Sequence, residues 1–278
     1  MKPALTAEVH SDSSMFAWGA VLNNARTARG FWSPEERQNH ITYLELLAVF
    51  NAVRSFLPWI RNRKVLLHED NQAVVYILTN YTSRSKPLMS LLRKLWWVLD
   101  VENIELRTKY IRSAANVWAD QLSRDLDCDD WKLNPIEFRR MQTKWGQGAY
   151  EVDRFASSLS AQLPVYYSKH LDPHSAGTNS LTRDWRGKRN WINPPWELLD
   201  QVAQKMDEQG AGGTVVAPYW VGASWFQRLW DLATEVEIVP PRRDLFLPTR
   251  HGAREGVGPA KWAAIYFRIP DRRVGGID

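Results

Sequence analysis

Four carboxylates in the first half of this 278-residue chain carry the strongest chemical signal. Asp12 lies in His10-Ser11-Asp12-Ser13-Ser14, after one β-rich stretch and before another, and alone it reads as a turn residue. Glu45 is the only charge in residues 41–50, flanked by Leu44, Leu46 and Leu47. A carboxylate on an inward-packing helix is costly unless a cation or hydrogen bonds compensate it. Asp70 ends a short apolar run and Asn71 opens a helical one, so Asp70 alone reads as a helix cap. Asp120 follows Asn116 by four residues, which puts both on one helix face, and alone it reads as a solvated acid. Each acid singly is structural sooner than catalytic. Converging, the four would repel one another unless divalent cations sat among them, with carboxylate oxygens as hard ligands. Two such ions, about 3.5–4 Å apart, activate a water and stabilise the leaving oxygen of a phosphodiester.

The elements that must position these acids follow from periodicity. Strands are expected at 5–10, 17–22 and 29–32. A helix is expected at 41–57, where Leu46, Val49, Phe50, Val53 and Leu57 form one apolar stripe. A strand at 65–68, helices at 71–78 and 88–99, a strand at 104–110 and a helix at 116–124 complete an α/β pattern. The polar run from Arg124 to Asp130 interrupts it, so the domains are expected at 1–126 and 127–278. A second α/β rhythm has expected strands at 150–153, 165–168, 190–193, 213–218, 236–239 and 263–269. Its helices are expected at 197–208 and 225–234.

The order Asp12, Glu45, Asp70, Asp120 resembles the acid set of ribonuclease H, and the surrounding words resemble its retroelement branch. They are Ser-Asp-Ser-Ser-Met-Phe-Ala-Trp-Gly-Ala, Tyr-Leu-Glu-Leu-Leu-Ala-Val, His-Glu-Asp-Asn-Gln-Ala-Val-Val-Tyr-Ile and Tyr-Ile-Arg-Ser-Ala-Ala-Asn-Val-Trp-Ala-Asp-Gln-Leu-Ser-Arg. The resemblance covers about 120 residues. It implies a ribonuclease H-like mixed sheet with flanking helices and two Mg²⁺ or Mn²⁺ ions on the four acids. The implied reaction is hydrolysis of the RNA strand of RNA–DNA hybrids, leaving 3′-hydroxyl and 5′-phosphate ends. Asn116 would contact the RNA strand, with Ser13 and Asn71 beside the substrate and 2′-hydroxyl contacts separating RNA from DNA. The segment Lys109–Ala115 lacks the loop histidine of cellular enzymes, which implies slower turnover. No long basic insertion follows Tyr81, so substrate grip is expected from elsewhere. Integrases and transposases share the architecture but do not pair a first-helix glutamate with an Asn-x-x-x-Asp closing helix.

In the second half, Trp191-Ile192-Asn193-Pro194-Pro195-Trp196 ends an expected strand. Two prolines stiffen the loop and remove two donors. Carbonyls and an amide beside an indole could accept an exocyclic amino group and stack on its base; a rigid connector is the plainer alternative. The motif resembles that of N6-adenine methyltransferases, and the flanking Asp153-Arg154-Phe155-Ala156 and Val216-Ala217-Pro218-Tyr219-Trp220 resemble the phage Dam-type subgroup. That implies a Rossmann-like domain with an adenine site at Asn193, Pro194, Pro195 and Trp196, and S-adenosylmethionine at Asp153. The turn after Asp153 has no glycine to admit a ligand, and Asn179-Ser180-Leu181 stands where the subgroup has an acid. A degenerate methyltransferase-like domain is therefore expected. The two-domain layout resembles DIRS-type retrotransposon polyproteins, with a reverse-transcriptase domain as partner. The start so close to the first strand suggests a truncated fragment.

Composition sets the frame. The chain is 44% hydrophobic and 24% charged, as in ordinary soluble globular proteins. Its 15 tryptophans are expected mostly in cores, given runs such as Leu95-Trp96-Trp97-Val98. A single cysteine, Cys128, points to a reducing compartment, and no apolar stretch suits a membrane span, so an intracellular, soluble protein is expected. The net charge of +5 modestly favours a polyanionic partner. His170 and His174 are expected as solvated loop residues, and Arg242, Arg243, Arg272 and Arg273 as surface charge. Two other functions stay open: a non-catalytic nucleic-acid-binding scaffold, and an active DNA N6-adenine methyltransferase.

Overall fold

The computed structural model describes residues 6–124, 131–145, 150–249 and 262–272. Cys128, Arg273 and the expected boundary at 126/127 lie outside them. The chain forms two compact units, Met1–Leu126 with His170–His174, and Asp127–Lys169 with Ser175–Asp278. Among the described residues no helix is long and apolar enough to cross a membrane.

In the first unit, β1 (Ala7–Ser13), β2 (Ala17–Leu22) and β3 (Arg26–Phe31) form an antiparallel meander. Strands β4 (Lys64–Glu69) and β5 (Glu105–Tyr110) join in parallel, giving the order β3-β2-β1-β4-β5. Helix α1 (Ile41–Ile60) buries Leu44, Leu46, Val49, Val53 and Phe56 in the core, which also holds Trp18 and Trp32. Each large apolar side chain so buried contributes about 2–3 kcal/mol. The helix runs past Leu57 although Pro58 lies inside its last turn. There the ring cannot donate to the Arg54 carbonyl, and the buried Ile60 holds the last turn against the core. Helices α2 (Gln72–Asn80), α3 (Lys86–Val101) and α4 (Val117–Arg124) complete the unit. Leu91, Leu92, Leu95 and Leu99 turn inward on α3. Trp96 and Trp97 therefore fall on its outer face, 54% and 65% exposed, against the expectation that such runs sit in cores.

Strand β1 also departs from expectation, running three residues beyond His10 through Asp12 to Ser13. The polar Ser-Asp-Ser does not alternate, yet Ser11, Asp12 and Ser13 pair with Ala20, Gly19 and Trp18 of β2. Cross-strand pairing here overrides local turn chemistry. Leu171 also belongs to this unit, its carbonyl accepting from the Arg29 N–H at 2.9 Å. His174 lies 3.2 Å from the Asp172 carboxylate.

The second unit has a five-stranded sheet ordered β12-β14-β11-β10-β7 and two small strand pairs. Its elements are β6 (Trp131–Leu133), α5 (Pro135–Trp145), β7 (Val152–Asp153), β8 (Tyr167–Ser168), β9 (Gly177–Thr178) and β10 (Asn190–Ile192). They continue with α6 (Leu199–Gln209), β11 (Gly213–Pro218), α7 (Phe226–Leu232), β12 (Glu235–Val239), β13 (Phe246–Pro248) and β14 (Ala264–Ile269). Strands β7, β10 and β11 are parallel, and β14 is antiparallel between β11 and β12. The strand expected at 165–168 meets this sheet only by a single bridge. Only β8 forms, paired with β9, while Tyr166 bridges Asp153. Helix α5 was not anticipated, although Phe138, Met141 and Trp145 make an apolar stripe and the Asn134 side chain accepts from the Ile136 N–H at 2.9 Å. Arg242 is exposed, as expected, and lies 3.2 Å from Asp244 and 3.6 Å from the buried Glu137.

Candidate active site

Three acids converge at one end of the first unit's sheet. Asp12 is the next-to-last residue of β1, opposite Gly19 of β2. Glu45 lies in the first half of α1, whose N-terminus is capped by the His40 ring accepting from the Thr42 N–H at 3.2 Å. Asp70 follows the last residue of β4. The cap expected of Asp70 is made by Asn71, whose amide oxygen accepts from the N–H groups of Ala73 at 3.0 Å and Val74 at 3.3 Å. That leaves the Asp70 carboxylate for the cleft. Carboxylate oxygens of Asp12, Glu45 and Asp70 lie within 4.8 Å of one another. Asp120, in the first turn of α4, lines the same cleft of about 690 Å³, with Ser13, Met15, Phe16, Ile41, Asn71 and Arg124.

Helix α4 reaches β1 because β2 offers no side chain at Gly19. A Cβ there would meet the Ala119 carbonyl and the Ser123 nitrogen at 2.8 Å, and Leu122 closer still. The close approach lets the Ser123 hydroxyl donate to the Asp12 carboxylate. It also lets the Asn116 amide donate to the Ser11 carbonyl at 2.7 Å. Asn116 is thus a buried strut between β1 and α4. Ser13 donates to the Ser14 carbonyl at 3.0 Å.

Burial sets the electrostatics. It pushes the Asp12 carboxyl up to about 6, with the Ser123 hydroxyl opposing and Asp70 and Asp120 adding to the rise. Burial raises Glu45 further, and Glu69, Asp12 and Asp70 add to it. The Glu45 Oε2 atom is buried without a hydrogen-bond partner. An orphaned carboxylate oxygen among hard oxygen donors fits a divalent cation, which would satisfy it and relieve the repulsion.

Two residues were missed by sequence reasoning. Glu69 is fully buried, accepting from the Ser11 hydroxyl at 2.8 Å and the Asn71 N–H at 3.3 Å. The signal was an acid inside an apolar strand next to Asp70, where pleating sends neighbours to opposite faces. Arg124, one helical turn after Asp120, holds that carboxylate at 2.5 Å.

In the second unit, Asn193 and Pro194 follow β10, with Asn193 half-buried and Pro194 buried. Pro195 and Trp196 are exposed, and the Trp196 ring meets Trp262 and Trp220 edge-on at 4.7 and 5.3 Å. Asp153 ends the adjacent parallel strand β7 and is buried. Its carboxylate accepts from the N–H groups of Gln162 at 3.0 Å and Phe155 at 3.4 Å. Arg154 lies over Trp185 and Tyr167, and donates to the Asn190 side chain at 2.7 Å.

No curated protein matches this chain. Among solved structures it is similar to ribonuclease H1 of the halophilic archaeon Halobacterium salinarum, at 18% identity over 43% of this chain and 96% of that one, with a TM-score of 0.35. It is similar to the N-terminal ribonuclease H domain of a Mycobacterium tuberculosis protein, at 13% identity over 44% and 93%, with a TM-score of 0.38. A third is LC11-RNase H1, from compost metagenomics, in complex with an RNA/DNA hybrid, at 12% identity over 42% and 91%, with a TM-score of 0.36. The stretch that holds Asp12, Glu45 and Asp70, residues 2–96, matches the family model of the RNase H-like domain found in reverse transcriptase.

Proposed function

We propose that the first unit is a metal-dependent nuclease of the ribonuclease H type, cutting the RNA strand of RNA–DNA hybrids. The observation that carries this reading is the convergence of Asp12, Glu45 and Asp70 around an orphaned, buried carboxylate oxygen. Those three acids and Asp120 would hold two Mg²⁺ or Mn²⁺ ions. Bound ions of this kind supply positive charge that acidifies a water and offsets a leaving oxygen. The chain's own groups do the rest. Asp12 and Glu45 surrender their protons as the site fills. Ser13 and Asn71, on the cleft wall, would hydrogen-bond a ribose 2′-hydroxyl. Arg124, released from Asp120, offers a guanidinium to a phosphate oxygen. The reverse-transcriptase family match supports a polymerase domain as a neighbour in a retroelement polyprotein.

The test is cleavage of a hybrid labelled on each strand, with Mg²⁺, with Mn²⁺ and with EDTA, beside Asp70→Asn. Metal-dependent cutting of RNA alone, lost in the variant, is the expected outcome. A well-folded protein that binds hybrid without metal and never cuts it would be a scaffold instead.

The second unit supports a second reading, a Rossmann-like domain of the adenine-methyltransferase type that has lost its cofactor. Favouring it, Asp153 ends β7 and Asn193–Trp196 follow the adjacent parallel strand β10. Carboxyl ends of parallel strands are where open α/β sheets bind ligands. The loss is argued from Asp153, whose carboxylate serves its own loop, and from Arg154 where a glycine is expected. Calorimetric titration with S-adenosylmethionine is expected to give no heat at millimolar ligand. Micromolar binding would restore methyl transfer as a working activity.

A further inference from the structure

A separate cluster lies one pleat repeat, about 6.6 Å, along the same strands from Asp12 and Asp70. Glu8 and His10 are two apart on β1, so they share a face. His68 of β4 is the cross-strand partner of His10. The two imidazoles stack at 4.3 Å and 7°. The Glu8 carboxylate lies 3.8 Å from the His68 Nε2. One ligand atom from each residue lies within 4.8 Å of the others.

The state of His68 asks for an explanation. Its side chain is 10% exposed, and neither ring nitrogen has a hydrogen-bond partner. A histidine kept in a core for packing normally satisfies at least one nitrogen, because an unmet buried polar atom costs about 1–3 kcal/mol. Here both nitrogens are unmet, beside a second imidazole and a half-exposed carboxylate.

We propose that Glu8, His10 and His68 form a second metal site, selective for an imidazole-preferring ion such as Zn²⁺ or Co²⁺. Two histidines and a glutamate are a familiar three-ligand set for Zn²⁺, with a water completing the tetrahedron. Ligand atoms around such an ion stand about 3.3 Å apart, given metal–ligand bonds of about 2.0–2.1 Å. Ligation therefore draws the cluster inward and turns one ring out of the stack. The all-oxygen cleft nearby suits hard Mg²⁺ or Mn²⁺ instead, so ligand softness sorts the ions between the sites. Bound there, the ion would clamp β1 to β4 at the root of the acidic cleft.

The test uses the full chain with saturating Mg²⁺ to fill the oxygen site, titrated with Co²⁺ and followed by visible absorbance and calorimetry. One Co²⁺ per chain with intense four-coordinate bands is expected. His68→Gln should weaken it at least tenfold and Asp70→Asn should not. Glu8→Gln, at an exposed position that leaves folding intact, should weaken it in the same direction. Co²⁺ uptake that vanishes in Asp70→Asn but survives in His68→Gln and Glu8→Gln would overturn the proposal, as would no uptake at millimolar Co²⁺. The readout involves no hybrid, so it stands apart from the nuclease reading.

Discussion

Glu45→Gln is expected to abolish hybrid cleavage while making the metal-free protein more stable. Glu45 is buried, its Oε2 has no partner, and three other carboxyls raise its affinity for a proton. In the unfolded chain the same group ionises near pH 4.3. A raised folded value means that stability is fully present below that pH and is lost as pH climbs towards the folded value. Asp12 behaves alike, lifted to about 6, and accounts for about 2 kcal/mol lost between pH 4 and 6. Metal-free protein should therefore melt lower at pH 7.5 than at pH 5, and Mg²⁺ should restore the loss by binding the ionised acids. Glutamine resembles the protonated carboxyl. The variant should gain about 2 kcal/mol at pH 7.5 without metal, lose most of its Mg²⁺ stabilisation, and cut at least about 10³-fold more slowly. Thermal melts with and without Mg²⁺ check the first two, and single-turnover cleavage the third. Equal melting of parent and variant across this pH range would mean that the carboxyl is not strained, and the metal argument would fail with it.

Gly19→Ala is expected to disable the site without touching an acid. The added methyl has nowhere to go, because backbone atoms of Ala119 and Ser123 would lie 2.8 Å from it. Backbone cannot swing aside as a flexible side chain can. Either α4 lifts from β2 or the strand shifts, at a cost of about 1–3 kcal/mol. If α4 lifts, three features go together: the Ser123 hydrogen bond to Asp12, the Asn116 strut to Ser11, and Asp120 on the cleft wall. Cleavage should fall about 10²-fold, as expected of a misplacement near 1 Å. Hydrogen exchange on 117–124 should rise while that of α1 stays slow. Loss of protection throughout the first unit would show instead that Gly19 matters to global folding.

The sequence by itself determined the parts that depend on local periodicity and on pairs of residue type. The stripe from Leu46 to Val53 placed α1, and the lone charge within it marked Glu45 as a residue in need of a partner. Apolar runs placed β2 and β4, and Asn116 and Asp120 could be put on one face of α4. Tertiary contacts decided the rest, because each depends on atoms distant in the chain. The Ser-Asp-Ser of β1 is strand and not turn because β2 pairs with it. Asp70 is spared a capping role because Asn71 takes it, a choice between neighbours that composition alone leaves open. Trp96 and Trp97 are exposed because α3 had already spent its inward face on leucines. Glu69 became a buried partner of Ser11 across two strands, and the two histidines met only when β1 and β4 paired in register. Periodicity tells which face a side chain takes. Only the assembled fold tells what else is on that face, and for buried carboxyls and imidazoles that neighbourhood sets the proton and metal chemistry.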